Sequence, residues 1–421
     1  MYCIRIFLCV TSLLVTTGLH AQDTLHITLQ QAEQQFLERN LALMAEQYNI
    51  SIAQAEVIQA KLYNNPSISF GGSIYNPDLR KFADIGNRTG QYTVGIAQLI
   101  TLAGKRNKQI TLAGTEAAMA ESRFFELLRT LGYTLRSNFH KARYLQSSIR
   151  AFDVQVRTLE QLASTYRDLQ SKGLVTPKDA IRIRSLLYSL KAEQTTLQNE
   201  FNDVEGELQL LLQDNRNRYI PDAQNLPITP VKSVALQSLL DTAFANRRDL
   251  RLAQQGQQYS EADYSLQKAL AVPDMTIGAM FDKRSDYIEN ASLLNIAFDL
   301  PLFNRNQGNI RAARLRIAQS KALLELQSAT VENEVRTAYA KAVNADNMLC
   351  SVDPGFREEF EQLLQSVTEH FIKKNISLLE FTDFCESYKE NLLQLNQVHN
   401  ERMQAIEQLN FALGKNLFNN K

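Results

Sequence analysis

A chain of 421 residues has material for two or three domains, and its 45 basic residues are balanced by 45 acidic ones. The balance excludes nucleic acid and anionic lipid as obvious partners. Sixteen glycines and nine prolines are few, a composition that favours long helices.

Arg5, the apolar run from Ile6 to Val15 and the small-residue site Leu19-His20-Ala21 predict a secretory signal over residues 1–21. That run is too short to span a bilayer as a helix, and no later segment reaches the length, so any membrane span must be β. Cys3 and Cys9 leave with the signal. Cys350 and Cys385 remain, and two such residues fit unpaired packing better than a disulfide scaffold.

Ala32, Phe36, Leu43, Ile50 and Val57 recur at helical spacing, predicting one helix from Thr28 to Tyr63 that stops before Asn64-Asn65-Pro66. Two stretches of alternating character follow, Ser67 to Tyr75 and Gln91 to Leu99, as a sheet with two different faces requires. Ala103 to Lys172 contains no proline, and such a helix would run on the order of 100 Å. It ends at Gly173, and Thr176-Pro177 starts the return. The returning helix carries a heptad of Ile183, Leu190, Leu197, Val204 and Leu211, with Leu187, Phe201 and Leu208 beside it and Gln194 as its polar exception. A proline-rich linker, Asp214 to Pro230, closes the first half.

The order then begins again. A helix from Val234 to Leu270 stops before Pro273, and strands over Asp274 to Phe281 and Ala291 to Leu300 precede a second very long helix. Phe371, Leu378, Cys385, Leu392, His399, Ile406 and Leu413 then lie seven apart. Ile96 to Leu102 is echoed by Ile296 to Leu302, and Leu135 to Ala142 by Val335 to Ala342. The chain therefore holds two copies of one unit. The first repeat covers 22–220 with its β-hairpin at 66–100 and helical tip near 173–177. The second covers 221–421 with its hairpin at 273–302 and tip near 375–378. Four strands cannot close a barrel alone, so they need partner chains.

With this order, the chain resembles the TolC-like outer membrane efflux proteins over nearly all of its mature length. The resemblance implies a mainly α fold with a small β part. Three protomers build a periplasmic α-barrel and a twelve-stranded outer-membrane β-barrel, and the localisation is the outer membrane, reaching into the periplasm. Leu102-Ala103-Gly104-Lys105-Arg106 and Pro301 to Gly308, with Asn304, Arg305, Asn306 and Gln307, look like the strand-to-helix junctions of the heavy-metal branch of CzcC/CusC-like proteins. That branch implies export of heavy-metal cations, a periplasmic adaptor and an inner-membrane pump of the resistance-nodulation-division type. The same duct for drugs and detergents, or for type I protein secretion, stays open. A soluble coiled-coil scaffold is the competitor from another class.

Gly173-Leu174-Val175 and Asn375-Ile376-Ser377 correspond to the adaptor-docking tips, with Asn375 standing where the family usually has Gly. Asn tolerates the left-handed turn conformation expected there. Asp168 and Glu369 lie near the tips, and the resemblance implies that side chains in this stretch pinch the pore. Rings of one carboxylate filter by sign, although ordinary solvated helix residues would read the same way. No catalytic signature and no cofactor motif is present. His26, His140, His370 and His399 lie too far apart in sequence to suggest a metal site. Phe70, Tyr75, Tyr92, Phe281, Tyr287 and Phe298 are candidates for interfacial belts or for strand-to-helix packing.

Overall fold

The computed structural model describes residues 24–77, 79–86, 88–222, 230–285, 288–353 and 355–418. The predicted signal, Tyr287 and linker residues 223–229 lie outside the described residues. The elements, in order, are β1 (Thr24–Ile27), α1 (Leu29–Arg39), α2 (Leu41–Lys61), β2 (Ser67–Gly72), β3 (Tyr75–Asn76), β4 (Lys81–Phe82), β5 (Tyr92–Ile100), α3 (Lys105–Ser171), α4 (Pro177–Leu212) and β6 (Arg218–Pro221). A short 3-10 turn (Val231–Ser233) leads into α5 (Leu236–Asn246), α6 (Arg248–Leu270), β7 (Met275–Arg284), β8 (Glu289–Phe298), α7 (Gln307–Cys350), α8 (Phe356–Ile372) and α9 (Leu378–Leu413). The described residues fold into two compact units, and each draws on both sequence halves: those within 24–44, 127–247 and 331–418 form a helical unit, and those within 45–126 and 248–330 form a sheet-bearing unit.

Three differences from the sequence reading have identifiable physical causes. The first helix is two helices, broken at Asn40, and its counterpart is broken at Arg247. Both residues take the same extended conformation, with φ −65° and ψ 117° at Asn40 and φ −65° and ψ 118° at Arg247. The Asn40 carboxamide accepts from the amides of Ala42 and Leu43, capping α2, and donates to the Leu211 carbonyl at 3.0 Å. Arg247 reaches the Ala412 carbonyl at 3.1 Å and Glu334 at 2.6 Å. Each break thus ties an entry helix to the end of a returning helix, a tertiary demand that helical periodicity does not record. The linker also contributes a strand: β6 pairs in parallel with β1. Finally, the second long helix stops at Cys350 and resumes at Phe356, whereas α3 runs through 67 residues. Asp353-Pro354-Gly355 in the sequence is the breaker.

The helical unit is held by the heptad. Ile183, Leu187 and Leu190 from α4 meet Phe152, Val156, Leu159 and Leu162 of α3, with Phe371 of α8 and Phe381 and Cys385 of α9. Gln194, the polar exception, is satisfied by Asp153 at 2.6 Å. In the sheet unit, β2, β5, β7 and β8 form one antiparallel sheet in that order. β2 and β8 are its open edges among the described residues.

Candidate functional site

Cross-strand register sorts the sheet residues onto two faces, because partners point the same way. One row is Ile68, Ile96, Ala279 and Leu294, and the next on that side is Phe70, Val94, Phe281 and Ser292. The opposite face carries Ser67, Ala97, Gly278 and Asn295, then Gly71, Thr93 and Asp282. One side is therefore largely apolar and the other small and polar, with Met280, Leu293 and Leu99 as exceptions. Ile68, Phe70, Ile96, Leu294, Ile296 and Phe298 are all exposed. An apolar face this open lacks its solvent or its partner.

Three of the aromatic candidates meet at one end of that face. Tyr92 lies between Phe70 and Phe281, with ring centroids at 6.4 and 6.2 Å. Tyr75 instead pairs with Phe82 at 4.7 Å, and Phe298 is exposed on the edge strand.

The two junctions are built as struts. Lys105 is buried, and its ammonium donates to the Val272 carbonyl and to Asp274, both at 2.7 Å. Asp274 also accepts from the Leu102 amide at 3.0 Å. Arg106 lies over the Tyr63 ring at 3.7 Å. At the second junction Asn306 donates to the backbone and side-chain oxygens of Gln267 at 2.8 and 2.9 Å. Asn304 accepts from the Asn306 amide, and Gln307 from the Arg305 amide. Gly308 opens α7 in the first turn, and Pro301 precedes the exposed Leu302 and Phe303. These residues lock the strand ends and the helix starts together.

At the tips, the structure corrects the expected equivalence by one residue. Gly173 is left-handed (φ 71°), and its counterpart is Lys374 (φ 60°), not Asn375. Hydrogen bonding agrees. The amides of Leu174 and Asn375 each bond to a carbonyl five residues back, Leu169 and His370, at 2.9 Å in both cases. Thr176 and Ser377 then cap the returning helices, the latter in a capping box with Glu380. Leu174 thus matches Asn375, and Val175 matches Ile376. A sequence rule that seeks Gly or Asn at a left-handed position misses a lysine there. Asn375 instead approaches His370, at 3.3 Å.

Asp168 and Glu369 are exposed, and Glu369 stands 3.6 Å from Lys373 on its own helix. Exposed i,i+4 pairs contribute little to stability, so folding does not explain this carboxylate's place.

No group of three metal-ligating side chains occurs among the described residues. His26 bonds to Asp222. His399 stacks on Tyr144 at 6.1 Å, and burial, then Arg357, Arg402 and Arg143, hold its pKa below the ordinary value. Cys385 is buried, and burial pushes its thiol up to about 12, so it is inert as a thiolate. Cys350 is exposed.

Sequence reasoning missed a buried ionic cluster in the helical unit. Glu407 is fully buried, accepts from Arg136 at 2.7 Å and lies 3.5 Å from His140. Arg136 also reaches Glu33 at 3.1 Å. The interruption of the apolar series in α9 by Glu407, beside Ile406, was the available signal.

The family model for outer membrane efflux proteins matches residues 239–415. The cobalt-zinc-cadmium resistance protein CzcC of Cupriavidus metallidurans is 22% identical over 406 residues, covering 90% of each chain. Among solved structures, a membrane protein from Pseudomonas aeruginosa superposes with a TM-score of 0.73 at 17% identity, over 92% of both chains. CusC superposes with a TM-score of 0.72 at 16% identity, over 94% of both chains.

Proposed function

We propose that this chain is a member of the outer membrane efflux protein family, whose model matches residues 239–415, and that three copies form the exit duct of a tripartite pump for heavy-metal cations. The observation that carries the duct is the sheet. It has an apolar face, a small polar face and, among the described residues, two open edges, and hydrogen-bonded struts such as the buried Lys105 join it to the long helices. An outer-membrane barrel needs strands with that alternation and no edges. A soluble scaffold would leave the apolar face in water, so the structure favours the duct over that reading. The metal cargo rests on the likeness to CzcC and on the two junction sequences. Transport is passive here, with energy supplied by an inner-membrane pump through a periplasmic adaptor. The adaptor docks on the tips at Gly173, Leu174, Val175, Asn375, Ile376 and Ser377.

The test is the sensitivity of a deletion strain to zinc, cobalt, cadmium, copper and silver salts beside bile salts, dyes and antibiotics. Metal sensitivity restored by the intact gene is the expected result. Sensitivity to the organic panel alone would replace the cargo and keep the duct, and loss of one exported polypeptide with unchanged resistance would move the chain to protein secretion.

The same reading places Asp168 and Glu369 at the resting constriction. Three copies of each carboxylate would attract cations and, through basic partners on neighbouring helices, hold the tips together. Changing both to Ala should raise passive entry of vancomycin-sized solutes. Entry equal to that of the parent strain would remove them from the gate.

A further inference from the structure

The internal repeat contains a template for the missing partner of each open edge. Within one chain, β5 of the first repeat pairs with β7 of the second. If the edges close by the same rule, β8 of the second repeat must pair with β2 of the first repeat in a neighbouring copy. We propose that this seam forms between copies with Phe298 opposite Gly72, Leu300 opposite Phe70 and Ile296 opposite Ile74. The inference rests on the oligomeric duct reading and adds its register.

The register follows from equivalences on the two hairpins. Pro66 and Pro273 stand just before β2 and β7, which makes Ile68 the counterpart of Met275, and Gly71 that of Gly278. In the hairpins Ile68 pairs with Ile96, and Met275 with Phe298, so Phe298 is the structural counterpart of Ile96. The helix starts agree, since left-handed Gly104 precedes Lys105 and left-handed Asn306 precedes Gln307. The direct sequence echo, Ile96 with Ile296, is thus displaced by two residues in space. Translating the β5–β7 pairs Ile96–Ala279, Gln98–Ile277 and Val94–Phe281 through these equivalences gives the three pairs above.

The chemistry at both edges fits. Ile74, Phe70 and Leu300 are 82%, 70% and 69% exposed, and the proposed register puts all of them on one apolar face. Phe298 would cover the backbone of Gly72, a known way to protect a strand glycine. At the existing seam a side chain on Gly278 would meet Ala97 at 3.3 Å and the Ile96 carbonyl at 3.2 Å. Gly71 keeps that clearance at the other. Pairing both edges also removes the exposed ladder groups that otherwise template aggregation.

Cysteine pairs on the small-residue face test the register in the full-length protein, in a Cys350→Ser background. Gly95–Met280 translates to Ala297 opposite Ser73. Under mild oxidation, Ser73→Cys with Ala297→Cys should give a covalent trimer on non-reducing gels, reversed by reductant. Ser73→Cys with Asn295→Cys, which the direct sequence echo would place together, should stay monomeric, as should each single variant. Cross-linking through position 295 and not 297 would overturn the register. No cross-linking in either pair, while the variants still trimerise in the outer-membrane fraction, would overturn the seam. A parent protein that forms no oligomer in that fraction would instead sink the duct reading itself.

Discussion

Replacing Glu407 by Gln should destabilise the protein by about 3–5 kcal/mol, the cost of breaking a buried ion pair from one side. Glu407 has no accessible surface, and its carboxylate accepts from Arg136 at 2.7 Å with His140 at 3.5 Å. Without the charge, Arg136 keeps only the partly exposed Glu33 as a charged partner among these groups. Burial alone would raise the Glu407 pKa, but the contacts with His140 and Arg136 outweigh it and hold the pKa below its ordinary value of 4.5. A depressed carboxyl pKa stabilises the fold above the unfolded-state value, and that contribution is lost as the pH falls through the folded-state value. Chemical denaturation of the parent and the Gln variant should therefore show a constant gap from neutral pH down to the carboxylate range, closing below it. A gap that widened in acid would contradict the assignment, as would a variant as stable as the parent at neutral pH.

That cluster also marks the limit of what the sequence made legible. The duplication, the four main strands, the unbroken α3 and both returning helices could be read because each depends on local signals: period, proline, glycine and cap. Most of the features that were not legible depend on contacts distant in sequence. Asn40 breaks a helix because its carboxamide satisfies Leu211, and Arg247 does so against Ala412. β6 is a strand because β1 lies beside it. The two tips were misaligned by one residue because Lys374 adopts the conformation expected of Asn375, and propensity describes only what a residue favours. The junction residues were singled out by resemblance, and their geometry supplies the reason: Lys105 and Asn306 tie strand ends to helices. Asp168 and Glu369 are exposed near the tips, and an exposed carboxylate has the same local signature whether or not it lines a pore.

Phe381→Ala should cost about 3–5 kcal/mol, the range for emptying a buried aromatic site, and its effect should be concentrated at the tips. Phe381 is 1% exposed and stacks on Phe371 with centroids 4.2 Å apart and planes 9° from parallel. Phe371 in turn stacks on Tyr166 at 5.8 Å. Three rings from α9, α8 and α3 thus form one column, and Phe371 lies two residues beyond Glu369 in α8. α8 is a separate 17-residue helix with a single buried side chain, Phe371. Helix stability in proteins comes mostly from tertiary packing, and the column anchors the tip end of α8 while Phe360, against Phe384 and Tyr388 at 5.6 and 5.3 Å, anchors its start. Truncating the ring should speed proteolysis between α8 and α9 and raise solute entry in the manner of the Asp168 and Glu369 variants. Phe381→Leu, which keeps most of the apolar volume, should do much less. If solute entry rises for Phe381→Ala but not for the carboxylate double variant, packing of the column closes the duct and the charges do not. If both rise, the column positions the helix and the carboxylates do the closing.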